Sequence, residues 1–194
     1  FLSDPTQVVA TEAAIAIHDD FSIPAALPKL AETLESLNCT NEAFVRRAIN
    51  ANLRLGTPEN ANRVAQFALV ATPNHQLTAI DALKNWIAPS PFDAVTGRIR
   101  EFGERDQNAI ATVIQPHAQK LIRDDSPDVQ AGAMDLTRAF NLEIDPNILA
   151  AIAADEQAAE SVRIAALQAV ASNADIAKRA VTGALDSTST ALRI

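Results

Sequence analysis

Tyrosine is absent from this 194-residue chain, cysteine and tryptophan occur once each, aromatic residues make up 4%, and glycine occurs 5 times. That profile argues against an all-β fold, which draws on aromatic and β-branched residues and on glycine-rich turns. The one cysteine, Cys39, excludes an intrachain disulfide framework and a thiolate metal cluster. It is expected to sit inert in a turn between helices. No apolar run approaches the ~20 residues needed to span a bilayer. Positive charge is scarce as well, with 16 Lys and Arg against 24 Asp and Glu and a net charge of -8. A basic groove for nucleic acid is therefore not expected. Phosphate-cradling G-x-x-x-x-G-K, dinucleotide-binding G-x-G-x-x-G and haem-attaching C-x-x-C-H are all missing. What the chain does have is alanine, about a fifth of all residues, within an apolar fraction of 48%. Such a sequence can bury a substantial core, and abundant alanine suits many short, closely packed helices.

Helical apolar spacing (i, i+3, i+4, i+7) recurs along the chain. It fits Val9, Ala13, Ala16 and Ile17, with Glu12 as an exception. It fits Val45, Ala48, Ile49 and Leu53, with Asn52 as an exception. It fits Ala79, Ala82, Leu83, Trp86 and Ile87; then Val129, Gly132, Ala133, Leu136 and Phe140; then Val162, Ala165, Ala166, Ala169 and Val170. From the first apolar residue of one stripe to the next, the steps are 36, 34, 50 and 33 residues. Three agree near the period of a helix pair, and the long one implies an insertion of about 16 residues between two repeats.

Second helices fall between the anchored ones. Pro24 precedes Leu27, Leu30, Ala31 and Leu34. Thr57-Pro58-Glu59 precedes Val64, Ala65 and Ala68, and Asp145-Pro146 precedes Leu149 and Ile152. Ser172 or Asn173 precedes Ala177, Ala180, Val181 and Ala184, and Ser126-Pro127-Asp128 opens an anchored helix in the same manner. The first turn of a helix has N–H groups without partners; a capping oxygen accepts from one, and proline has none to lose. Gly56 is placed to stop a helix. Pro116, inside the helical segment 107–123, is expected to end or kink it. Leu192-Arg193-Ile194 echoes Val162-Arg163-Ile164, so a sixth repeat is expected to begin there. With Phe1 as its first residue, the chain is expected to be a piece of a longer protein.

The interruption after Trp86, residues 88–107, holds two prolines, two glycines and seven formal charges, and cannot continue the preceding helix. A loop of this length is either functional or packed as a lid. Three readings stay open: solvated ion pairs among Asp93, Arg98, Arg100, Glu101, Glu104, Arg105 and Asp106; a contact surface for another domain; a small-ligand site. Trp86 reads as core covered by the loop. The one basic concentration is Arg46, Arg47 and Arg54, where Arg47 and Arg54 share a helix face; pairing with neighbouring acids or an acidic partner would each account for it. Arg46, Arg47, Arg54, Trp86, Asp93, Arg98 and Arg100 thus form the candidate interaction surface. His18, His75 and His117 lack metal spacing and read as surface or helix-end residues, with His18 suited to pairing with Asp19 or Asp20. Asp124-Asp125 and Asp155-Glu156 read as acidic turns, not catalytic pairs.

Asp or Ser with Pro, followed by Val-Arg and small residues, resembles HEAT repeats, in which arginine and acidic residues form ladders between neighbours. Further residues carry a narrower resemblance: Glu12 through Asp19, Arg46 through Gly56, Glu59-Asn60-Ala61, Trp86-Ile87-Ala88-Pro89 and Asp93 through Gly97. Over about residues 4–106 the chain is similar to the helical-repeat region of large secreted bacterial proteins of the sorbosone- or glucose-dehydrogenase type. In these, a β-propeller is followed by HEAT repeats and a c-type cytochrome. The resemblance implies a periplasmic or extracellular location and a connecting role. The sugar chemistry would lie in the propeller and the haem in the cytochrome, with neither catalytic residue nor cofactor carried by this chain.

The fold expected is all-α, an α-α superhelix of the HEAT or armadillo type over residues 1–194, with about five helix pairs and one inserted loop. The function expected is a non-catalytic scaffold whose partners are proteins, with no nucleic acid and no membrane span. Two alternatives remain: a general protein-interaction scaffold unrelated to redox chemistry, and an enzyme or nucleic-acid reader of HEAT fold, which the acidic balance disfavours.

Overall fold

A computed structural model describes residues 1–20, 22–36 and 40–170. Among these the chain is all-helical, with no strand longer than one isolated bridge. None of the described helices is long and apolar enough to cross a membrane. The chain divides into two compact units, Phe1–His117 and Ala118–Ile194.

The first unit is built from α1 (Gln7–Asp19), α2 (Leu27–Glu32), α3 (Glu42–Leu55), α4 (Pro58–Ala68) and α5 (Pro73–Lys84), followed by a long connection and the start of α6 (Gln107–Leu121). Short 3-10 turns, Pro24–Ala26 and Thr33–Ser36, flank α2. At the centre lies α3, which packs on α1, α2, α4 and α5. Its sequence explains the position: Phe44, Val45, Ala48, Ile49, Ala51 and Leu53 are buried around most of its circumference. Removing the larger side chains of this core, such as Ile49 or Leu30, would cost about 2–5 kcal/mol each.

The helix boundaries follow local chemistry. Thr57 Oγ1 accepts from Asn60 N ahead of Pro58, as expected. Asn41 Oδ1 accepts from Ala43 N and opens α3. Gly56 closes α3 in the left-handed region at φ 73°, where a β-carbon is disfavoured. Asn52, the polar exception in its stripe, is fully buried and fully employed. Its Nδ2 donates to Ala31 O (3.0 Å) and Ala48 O (2.9 Å), while its Oδ1 accepts from Asn60 Nδ2 (2.9 Å) and Arg63 Nη1 (3.1 Å). One amide thus joins α2, α3 and α4.

Three expectations need correction. The buried stripe of α1 is Ala10, Ala14 and His18 with Thr11, not Val9, Ala13, Ala16 and Ile17. Val9 and Ala16 are exposed, and Ala13 and Ile17 border an open groove beside Phe1 and Leu2. Small alanines let α3 approach, and this outweighs the greater hydrophobicity of Val9 and Ile17. His18, read as a surface or helix-end residue, does end α1 but is fully buried. Of the two outcomes expected at Pro116, an end or a kink, the end does not occur: α6 runs on to Leu121, and the boundary between the two units falls just after Pro116.

The second unit contains the end of α6, α7 (Pro127–Phe140), α8 (Pro146–Ala154) and α9 (Glu160–Val170). Here α9 packs on both α7 and α8, and the core includes Val129, Ala133, Leu136, Phe140, Leu149 and Val162. Asp145 caps α8 through Asn147 N with Pro146 in the first turn. Ser126 precedes Pro127 but makes no side-chain cap bond. Asp124-Asp125 and Asp155-Glu156 lie in the turns between helices. Cys39, the expected helix around Ala177 to Ala184 and the Leu192-Arg193-Ile194 echo lie outside the described residues.

Candidate functional site

The interruption after α5 is ordered from its first residue. Trp86 is fully buried, its Nε1 donating to Gly56 O at 3.2 Å. At the far end of the loop, the Arg105 guanidinium lies over the Trp86 ring (5.6 Å to the centroid) and the Phe102 ring (5.3 Å). It also donates to Leu53 O in the last turn of α3 and to Trp86 O just beyond α5. A cation there meets the negative end of the α3 dipole and the faces of two rings. Burial draws the Arg105 pKa below its ordinary value.

Between these anchors, residues 91–100 form a small hairpin. Asp93 N donates to Arg98 O and Arg100 N to Pro91 O, each at 2.8 Å, and Phe92 bridges Ile99 antiparallel. The turn is closed by the Asp93 carboxylate. Its Oδ1 accepts from Val95 N (2.9 Å), Thr96 N (2.8 Å) and Thr96 Oγ1 (3.1 Å), and Gly97 takes φ 69°. An aspartate accepting from the amides two and three residues on, with glycine in the left-handed region at 97, is turn chemistry.

The hairpin is inverted with respect to polarity. Phe92 and Ile99 occupy a pair whose flanking hydrogen bonds place them side by side on one face, and they are 59% and 70% exposed. Asp93 and Arg100 alternate to the other face and are 3% and 6% exposed. They meet the end of α1. Asp93 Oδ2 lies 3.4 Å from Arg100 Nε and 3.7 Å from His18 Nε2. The His18 ring also meets Asp19 Oδ1 (2.7 Å) through Nδ1 and Asn50 Oδ1 (2.8 Å) through Nε2.

The arginines singled out by sequence gather at the same place. Arg54 and Arg100 donate to His18 O (2.9 and 3.3 Å), and Arg98 donates to Asp19 O (3.1 Å). Arg47 grips both Asp19 carboxylate oxygens, at 3.1 and 2.8 Å. The unpaired carbonyls ending α1 are thus met by three guanidiniums, a favourable arrangement at the negative end of a helix. Burial raises the Asp93 pKa, but the amides of Thr96 and Val95 and the His18 ring outweigh it and hold it below its usual value. Asp19 behaves likewise: burial raises it, and Arg47 and His18 bring it down further. Burial and the neighbouring Arg100 lower the Arg54 pKa, opposed by Asp93 and Asp19.

The seven candidate surface residues therefore divide. Trp86, Asp93 and Arg100 are internal, and Arg47 and Arg54 are half-buried and committed to α1. Arg46 and Arg98 stay exposed, Arg46 donating to Ala94 O at 3.1 Å. Sequence reasoning passed over Asn50, Phe92 and Ile99; the seven-residue step from Phe92 to Ile99 across Asp93-Ala94-Val95-Thr96-Gly97 is the signal that could have found the exposed pair. His75 pairs with Glu42 at 2.9 Å and His117 with Asn62 at 2.9 Å. No cluster of metal-ligating side chains occurs among the described residues.

Beside the hairpin a cleft of about 400 Å³ opens between α3, α5 and the loop. Ile49 and Leu53 are among its apolar residues together with Phe92 and Phe102, and Arg46, Glu42 and Asp81 also line it. Glu42 is held by His75 and Asp81 by Lys84. A concave, mainly apolar recess of this size accommodates a ligand or an inserted side chain. Neither a family model, a curated protein nor a solved structure matches this chain.

Proposed function

We propose that this chain is a non-catalytic scaffold of stacked HEAT-like helix pairs that presents a fixed loop to a protein partner. The observation that carries the reading is the anchoring of the insertion. Buried Asp93 and Arg100 hold one end against His18, and Arg105 holds the other against the ends of α3 and α5. A loop held this way costs little ordering entropy on binding. Support for stacking comes from three of the four steps between anchored helices, which agree at 33 to 36 residues, and from the longer-then-shorter order of α1/α2, α3/α4 and α7/α8, which α5/α6 reverses.

A narrower proposal, that the array connects a β-propeller dehydrogenase to a cytochrome c outside the cytoplasm, rests on the sequence resemblance alone. A reading frame encoding a propeller before Phe1 and C-x-x-C-H after Ile194 supports it. Normal electron transfer in the parent protein after deletion of this region refutes it. The exposed Phe92 and Ile99 equally favour a scaffold outside redox chemistry, which a soluble partner and no neighbouring cytochrome would support.

Stacking is tested by small-angle scattering. A compact domain of this length has a radius of gyration of roughly 16 Å. A clearly larger value for the monomer supports a solenoid, and roughly 16 Å rejects it.

A further inference from the structure

The cleft between α3, α5 and the loop is walled by parts already fixed in place. Ile49 and Leu53 belong to the buried face of α3, Phe102 lies under the Arg105 guanidinium, and Phe92 is set by the hairpin. A pre-formed apolar recess of about 400 Å³ is of the size that holds a small molecule, and little ordering is lost on binding. Such sites orient a ligand with a few polar groups. Asn50 is one: it lines the cleft and is only 4% exposed. Its Oδ1 accepts from His18 Nε2 at 2.8 Å, and its Nδ2 has no hydrogen-bond partner among the described residues. A buried N–H without an acceptor carries a cost that an incoming acceptor removes. Asp93, the other buried polar residue of the lining, has both oxygens engaged, by the turn amides and by Arg100.

The charges at the rim select neither sign. Glu42 is paired with His75 and Asp81 with Lys84, while Arg46 donates to Ala94 O and shares the rim with both carboxylates. A charged ligand would give up its hydration here without a dedicated counter-ion. We propose that this cleft binds an uncharged small molecule with an apolar ring and a carbonyl or similar acceptor. The ring would lie beside Phe92 and Phe102 on Ile49 and Leu53, and the acceptor would take a hydrogen from Asn50 Nδ2. The inference goes beyond the scaffold reading and does not rest on it.

The test titrates the whole chain into fluorinated ring compounds followed by fluorine NMR. The probes are para-fluoroacetophenone (an acceptor), para-fluorotoluene (neither donor nor acceptor), para-fluoroaniline (a donor), para-fluorobenzoate and para-fluorobenzylammonium. The ketone should bind about fivefold more tightly than the toluene, the worth of one hydrogen bond, and more tightly than the other three. Asn50→Asp keeps an oxygen for His18 and loses the N–H, so it should abolish the preference for the ketone. Ala82→Phe, which fills the cleft from α5, should weaken every probe several-fold. Helicity and Trp86 emission report whether each variant folds. Should Asn50→Asp disturb folding, the ketone against the toluene and Ala82→Phe still decide.

No saturable binding, a toluene bound as tightly as the ketone, or tightest binding by the amine, the anion or the cation overturns the proposal. So does a ketone preference that survives in folded Asn50→Asp, or binding unmoved by Ala82→Phe. These failures leave the scaffold reading standing, because it falls to the scattering result instead.

Discussion

Replacing Asp93 with Asn tests whether the insertion is held by buried charge. The amide oxygen can still accept the three turn bonds from Val95 and Thr96. The other oxygen becomes an NH2 group facing Arg100 Nε at 3.4 Å and His18 Nε2 at 3.7 Å. Arg100 then stays buried without its carboxylate, keeping its bond to His18 O. Removing one member of a buried pair costs about 3–5 kcal/mol. The 3.4 Å contact is long for a charge-assisted bond, which places the cost near the lower end, about 3 kcal/mol. With a urea dependence of about 2 kcal/mol/M, the midpoint should fall by about 1.5 M. Trp86 is the only tryptophan and is fully buried in the same unit, so its emission reports this transition selectively. Asp93→Asn combined with Arg100→Met should be less damaging than Asp93→Asn alone, since no buried charge is then stranded. A midpoint shift below about 0.5 M at unchanged slope, or a double variant costing the sum of its parts, refutes electrostatic anchoring.

Stability should also follow pH through the same carboxylates. Asp93 and Asp19 have folded pKa values below their unfolded ones; their contribution is therefore full above about pH 4 and is lost as pH falls through the lower folded values. Urea midpoints read from Trp86 should drop on acidification below about pH 4, less steeply in Asp93→Asn, and identical slopes would contradict this. Gly56→Ala forces a side chain into φ 73° and places its β-carbon 2.7 Å from Arg105 Nε, whose guanidinium is pinned to Leu53 O and Trp86 O. It should cost more than the about 1–2 kcal/mol of left-handed strain alone, with partial recovery on adding Arg105→Gln; denaturant titration decides. Asn52→Ala strands Ala31 O and the Asn60 amide in the core and should cost about 3 kcal/mol by the same titration, against under about 1 kcal/mol for an exposed control such as Asn74→Ala.

Much of the helical layout was legible because its signals are local. The Thr57-Pro58 and Asp145-Pro146 caps, the Gly56 stop and the Val45 to Leu53 stripe each depend on residues within a few positions, and each element lies where the pattern placed it. The face of α1 was misread because hydrophobicity ranks Val9 and Ile17 above Ala10 and Ala14, whereas close approach to α3 selects small residues. His18 was misread for a longer-range reason. Its burial depends on Asn50 and Asp93, and no local pattern announces partners so far along the chain. The charges at positions 93 and 100 suggested solvation because charge in a loop usually means water; here the end of α1 and the two charges themselves replace that water. The candidate surface was legible only as a region, since Arg47 and Arg54 brace the end of α1 and Arg100 secures the loop, while Arg46 and Arg98 stay exposed.

The reversed hairpin separates two tasks that most surface loops combine. Its inner side chains fix where it sits, and its outer ones stay largely exposed. Exchanges at Phe92 and Ile99, 59% and 70% exposed, should accordingly cost folding less than exchanges at Asp93 or Arg100, so the outer face can be rewritten like the teeth of a key whose shank is clamped. An engineer seeking a graftable recognition cassette would need to carry over Asp93, Gly97 and Arg100 together with Arg98, Arg105 and the ends of α1 and α3 that they grip.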